Sequence, residues 1–153
     1  MFEEIRLEGE FVLSSGRKSS YFYDFDLLHP REVANYVEKL LVVVPEEVWG
    51  RVDFIVSPAL GGIIPGFLIA FAKQQPFVII DKEGKARGPQ FNTGRYLIVD
   101  DVITSFKAAN FVRSALPGME AVGVAAYIFR GLRSVLDEQG CPVFYLARKD
   151  PEE

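Results

Sequence analysis

The chain has 153 residues, of which 49% are hydrophobic and 25% charged, and carries a formal net charge of −4. One core of roughly 100–200 residues is therefore expected, with no room for a second enzymatic module, and the balance is that of a folded globular protein and not a disordered one. The acidic balance argues against non-specific nucleic-acid binding, and the single cysteine, Cys141, excludes an intrachain disulfide or a cysteine-based structural zinc site.

Residues 1–28 read as short β segments. Phe11-Val12-Leu13 and Tyr21-Phe22-Tyr23 are strand-prone runs around Ser14-Ser15-Gly16, so a hairpin or small flap is expected there. Glu3 and Glu4, close behind Met1, have the wrong charge for a signal peptide. A helix is expected from Pro30, whose fixed φ suits the first helical position. Val33, Val37, Leu40, Leu41 and Val44 recur at helical spacing, and Pro45 ends the run. Its apolar end, Leu40 to Val44, is far short of the ~20 residues that span a bilayer. His29, the only histidine, stands just before this helix and reads as a cap or a surface residue. Short apolar runs follow at 52–56, 77–80, 96–99, 121–128 and 143–147, and four of the five lack strict alternation, as strands covered on both faces do. Helices are expected at 64–73 and 106–116.

This order predicts one α/β domain across 1–153, with a doubly wound, mainly parallel five-stranded sheet. Residues 1–28 form its β flap and 29–153 its core. Ligands of such sheets lie beyond the carboxyl ends of the strands, which directs attention to the loops after Val56, Ile80, Val99 and Ile128. A cytoplasmic protein with no membrane or nucleic-acid partner is expected.

The run Tyr96-Leu97-Ile98-Val99-Asp100-Asp101-Val102-Ile103-Thr104 drives a buried strand into two adjacent acids. Neighbouring carboxylates repel and make poor core material, so a ligand with hydroxyls or a cation explains them. A helix N-terminus, which favours negative charge, explains them equally well.

Val99 to Thr104 resembles the phosphoribosyl-pyrophosphate motif of type I phosphoribosyltransferases. The resemblance implies that Asp100 and Asp101 hold the ribose hydroxyls, and that Val102, Thr104, Ser105, Lys107 and Ala108 belong to the loop around the 5′-phosphate. Phe106 stands where that loop usually has glycine. The stretch from Gly9 to Asp24, with its G-x-F-x-L-x-S-G-x-x-S-x-Y-F/Y pattern, is similar to the N-terminal signature of the orotate phosphoribosyltransferases. It implies that Phe22 and Tyr23 cover the pyrimidine. Phe77 to Gly88 resembles the mobile catalytic loop of that family, with Lys82 and Arg87 as pyrophosphate contacts and Lys85 as the catalytic cation; Arg87 replaces the usual histidine. The polar stretch 81–94 is expected to act as a lid. Gly61 and Gly62 fall where the family binds pyrophosphate. Arg130, preceded by Phe129 in place of an aspartate, falls where the family's arginine contacts orotate.

The family likeness implies transfer of ribose 5-phosphate from phosphoribosyl pyrophosphate to orotate, giving orotidine 5′-monophosphate. It also implies Mg2+ carried by the pyrophosphate substrate, with no protein metal site, and a homodimer. A second reading, motivated by Phe106, is a phosphoribosyltransferase-like nucleotide-binding or regulatory protein without turnover.

Overall fold

Polar and aromatic residues alternate near the N-terminus, and the chain folds there into the expected hairpin. In the computed structural model, which describes residues 1–13, 16–131 and 140–149, β1 (Arg6–Val12) pairs antiparallel with β2 (Lys18–Tyr23). Ser14 and Ser15 of the expected turn lie outside the described residues. The period of two sorts β2 cleanly: Ser19, Tyr21 and Tyr23 are buried, while Lys18, Ser20 and Phe22 face outward.

Helix α1 (Pro30–Val43) starts at the proline, as its fixed φ requires. His29 caps it: Arg31 N–H donates to His29 Nδ1 at 3.1 Å, and His29 N–H donates to Glu32 Oε1 at 3.2 Å. This reciprocal box commits the imidazole to the backbone. A single turn, α2 (Glu46–Trp49), follows Pro45.

The core sheet comprises β3 (Phe54–Pro58), β4 (Phe77–Ile80), β5 (Ala86–Arg87), β6 (Arg95–Ile103), β7 (Glu120–Phe129) and β8 (Val143–Arg148), in spatial order β5-β4-β3-β6-β7-β8. It therefore has six strands where five were expected. The five expected strands are the parallel ones, and the sixth, β5, is antiparallel to β4. Its source is a turn at Asp81, whose Oδ1 accepts from the N–H groups of Glu83 (3.1 Å) and Lys85 (2.9 Å) and returns the chain along β4. Beyond β5 the Phe91 ring lies parallel on Phe54, centroids 4.3 Å apart. The stretch 81–94, expected as a lid, is thus anchored to its own sheet at both the turn and the aromatic stack.

Helix α3 (Ile63–Lys73) covers one face of the sheet with α1, and α4 (Lys107–Ala115) covers the other. Ile55, Leu97 and Val99 are buried toward the first pair, and Val56, Tyr96 and Ile98 toward the second. The sheet is covered on both sides, which is why most of its strands read as unbroken apolar runs. No helix among the described residues is long and apolar enough to cross a membrane.

The Phe91 stack makes a measurable contribution. Phe91→Ala is expected to lower unfolding stability by about 2 kcal/mol, below the cost of a fully buried phenylalanine because Phe91 is half-buried. Urea denaturation reads this directly; an unchanged midpoint would mean that β5 and its return segment are held elsewhere.

Candidate active site

Strand β6 does not stop at Val99. Its pairing with β7 continues through Asp100↔Ala126 and Val102↔Ile128, so the acid pair lies inside the strand, while α4 begins only at Lys107. The helix-terminus explanation of the two acids is thereby removed. Asp101 N–H donates to Asp100 Oδ1 at 2.8 Å, and Val102 N–H donates to Asp101 Oδ1 at 2.7 Å. Burial, then the neighbouring Asp101 charge, pushes the Asp100 carboxyl well above the usual carboxylate range. Burial raises Asp101 as well, partly offset by its hydrogen bonds with Asp100 and the Val102 backbone. The pair is thus held in a state that favours a shared proton until something compensates its charge.

The paired glycines of the β3–α3 turn make this arrangement sterically feasible. A Cβ on Gly61 would fall on the Asp101 carboxyl, and one on Gly62 would lie 2.5 Å from the Val99 carbonyl oxygen and 3.2 Å from Asp100 Cα. Hydrogen in place of a side chain lets that turn pack directly against the acid pair. The glycines therefore have a role in the protein itself, apart from any anion they approach.

The loop from β6 to α4 takes an ordinary course. Phe106, at φ −90 and ψ 16, is the residue before α4, and the only non-glycine residues with positive φ among those described are Phe2 and Gln74. No position from Asp100 to Ala108 needs glycine for its backbone. The Phe106 side chain packs against the core on the α4 side, and Ser105 Oγ accepts from Lys107 N–H at 3.3 Å. The positive end of the α4 dipole faces the space beside Thr104 and Ala108, a suitable place for an anion.

Across that space stands the hairpin. Phe22 is 40% exposed and stacks on Phe11 with centroids 5.5 Å apart, whereas Tyr23 is buried. The expected aromatic pair is split by strand alternation, leaving Phe22 to present the open ring face. Arg130, which follows β7, is 1% exposed. Its Nη2 donates to Ser19 Oγ at 2.9 Å, and its guanidinium lies 4.0 Å from the Tyr21 ring centroid. Phe129 points into the core and stacks on Tyr145 at 5.3 Å, so the position where an aspartate was expected serves packing.

One cavity of about 270 Å3 gathers most of the expected residues. Gly61, Asp100, Asp101, Val102, Thr104 and Ala108 line its core side, and Phe22, Tyr23 and Arg130 its hairpin side. Gly62 lies just beneath, against Asp100. Ser105 and Lys107 stand on the adjoining loop without lining the cavity. Lys82, Lys85 and Arg87 do not line it either: they sit around the Asp81 turn, where Arg87 Nε lies 3.0 Å from Asp81 Oδ2. Val12, Leu13, Pro58 and Ala59 also line the cavity and were not foreseen. Ser19 and Tyr21 do not line the cavity but contact Arg130, contacts that the inward parity of β2 makes possible.

No family model matches the chain. It is 33% identical over 139 residues to the orotate phosphoribosyltransferase of Campylobacter concisus, covering 84% of this chain and 68% of that protein. To the enzyme of the same name from Thermus thermophilus it is 32% identical over 142 residues, 88% of this chain and 73% of the relative. Among solved structures, orotate phosphoribosyltransferase from Aeropyrum pernix superposes with a TM-score of 0.82 at 24% identity, over 95% of this chain and 89% of that one. The Mycobacterium tuberculosis enzyme superposes with a TM-score of 0.69 at 24% identity, over 96% and 90%. At these identities the superpositions show a shared fold.

Two outcomes follow from the acid pair. A folded-state pKa raised above the unfolded value means that the native chain binds more protons, so stability falls as pH rises from about 4 through the raised value. Asp100→Asn should therefore melt higher than the parent at neutral pH without ligand, the difference vanishing near pH 4; equal melting temperatures at pH 7 would contradict this. Gly61→Ala should lower stability by about 1–3 kcal/mol through overpacking against Asp101, read by thermal or urea unfolding.

Proposed function

The chain belongs to the orotate phosphoribosyltransferase family, and from that membership we propose how its own residues carry the reaction. As a phosphoribosyltransferase of pyrimidine nucleotide synthesis, it transfers ribose 5-phosphate from phosphoribosyl pyrophosphate to orotate. The observation that carries the assignment of roles is the position of Asp100 and Asp101 on one wall of the cavity, with the Arg130 cation on the other.

Asp100 and Asp101 accept hydrogen bonds from the ribose 2′- and 3′-hydroxyls, which add to the backbone donors they already have and favour the ionised form of the pair. As the bond from C1′ to pyrophosphate breaks ahead of bond formation to N1 of orotate, positive charge gathers on the ribose ring. Fixed carboxylates beside that ring stabilise it more than they stabilise the ground state. Thr104, Ser105, Lys107 and Ala108 receive the 5′-phosphate at the start of α4. Turnover despite Phe106 is supported by the loop's ordinary backbone, which takes its course without glycine. Gly61 and Gly62 leave backbone exposed to pyrophosphate, and Val102 forms part of the floor. Phe22 covers the base, with Tyr23 behind it.

Mg2+ enters with the substrate. The wall offers only oxygen donors suited to it, Asp100 and Asp101, and no cluster of three or more potential ligands occurs among the described residues. When bound, the ion neutralises charge on the departing pyrophosphate.

Lys82, Lys85 and Arg87 complete the site in a homodimer, where Lys85 of one protomer stabilises the leaving pyrophosphate in its partner. Two features support this arrangement. None of the three cations lines its own cavity. Leu60, Ile64, Phe67 and Phe71 leave an apolar stripe along α3 that is 54 to 74% exposed and begins next to Gly61, a suitable face for a second copy. We place the enzyme in the cytoplasm, in keeping with its buried free Cys141.

A steady-state assay with orotate, phosphoribosyl pyrophosphate and Mg2+ should give orotidine 5′-monophosphate, and absence of product would refute the assigned activity. Lys85→Ala and Asp101→Asn should each lose at least about 100-fold in kcat. Mixing the two inactive variants should restore about a quarter of wild-type activity, because half of the random dimers then contain one intact shared site. No recovery on mixing would place Lys85 at its own protomer's site, or outside catalysis.

A further inference from the structure

Arg130 is held more firmly than a substrate-binding arginine needs to be. Its Nη2 donates to Ser19 Oγ (2.9 Å), its Nη1 to the Tyr21 carbonyl oxygen (3.4 Å), and its guanidinium lies on the Tyr21 ring. Both residues come from β2, the inner strand of the hairpin. The hairpin reaches back as well, since Arg17 Nη2 donates to the Arg130 carbonyl oxygen at 3.2 Å.

Ser19 is saturated by this arrangement. Its hydroxyl donates to the Tyr21 carbonyl oxygen at 2.9 Å and accepts from Tyr21 N–H at 3.2 Å and from Arg130 Nη2. A serine hydroxyl has one donor and two acceptor positions, and all three are used. Its direction is therefore fixed before any ligand arrives.

The two cations on Tyr21 differ in their charge balance. Arg6 lies 4.2 Å from the ring centroid and Arg130 4.0 Å. Arg6 is paired with Glu8 at 3.0 Å. Arg130 is buried, has no carboxylate partner among the described residues, and keeps Nε unpartnered while lining the cavity. A buried guanidinium so arranged keeps its full charge available to an anion.

We propose that Ser19 and Tyr21 are positioning residues for base recognition: they lock Arg130 so that its charge borders the cavity that takes the acidic pyrimidine, and by the same contacts they hold the hairpin shut over it. This rests on the assignment of orotate to the cavity.

The test is Ser19→Ala beside Ser19→Thr, which keeps the hydroxyl, and Tyr21→Leu, which removes the ring face. Losing one hydrogen bond to a buried charge should raise the KM for orotate about tenfold in Ser19→Ala. The KM for phosphoribosyl pyrophosphate should stay within about twofold, and Ser19→Thr should restore the wild-type value. Tyr21→Leu should raise the orotate KM in the same direction. An unchanged orotate KM in Ser19→Ala, or an equal rise in both KM values, would overturn the proposal. If the wild-type protein does not turn over orotate, the assigned function fails on its own. The clamp is then judged by hydrogen exchange: hairpin amides exchanging at least about tenfold faster in Ser19→Ala support it, and unchanged protection overturns it.

Discussion

Two carboxylates held side by side within the covered end of a central strand are the constraint around which the molecule is arranged. Burial raises the cost of ionising both, and the Asp101 charge raises it further for Asp100. The surroundings bear this in three ways. Backbone N–H groups of Asp101 and Val102 donate to the carboxylate oxygens of Asp100 and Asp101. The β3–α3 turn gives up side chains at Gly61 and Gly62 to fit against them. One side is left open as a cavity. A protein optimised for stability alone would place apolar residues here, and carboxyl groups with raised pKa beside a cavity are a feature of functional sites.

Much of this was legible in the sequence, and the reasons differ by element. The parallel strands announced themselves as apolar runs because helices cover the sheet on both faces. The acid pair stood out because two adjacent acids follow a four-residue apolar run directly, so that like charges stand side by side at its end. Strand β5 was not legible: Ala86–Arg87 is too short to carry a pattern, and it forms only because Asp81 accepts two backbone N–H groups and turns the chain. The end of β6 was misplaced for the opposite reason. Charged residues read as the end of a strand, while the β7 ladder carries it on to Ile103.

The site residues divide in the same manner. Those fixed by their place in a strand or its adjoining turn, such as Asp100, Asp101 and Gly61, line one cavity together. Phe106 looked obstructive because a one-letter comparison with glycine does not show φ, and its φ is one that any residue adopts. Phe22 and Tyr23 both border the cavity but differ in exposure, because adjacent residues in a strand face opposite ways. Ser19 was invisible as a functional group because its importance lies in three hydrogen bonds, two of them local and one to a residue far along the chain.

The hairpin also bears on the order in which the molecule assembles. Its two strands are neighbours in sequence and can pair early, but most of β1 stays exposed, so little apolar burial holds the pair together alone. Its firm attachment waits for Arg130, which is in place only once β6 and β7 have joined as non-local parallel strands, a slow event in folding. The scaffold thus matures first and the roof last. The chamber over the acid pair is therefore enclosed only in a chain whose hairpin, β6 and β7 are all in place, so its closure reports on the whole fold and not on the hairpin alone.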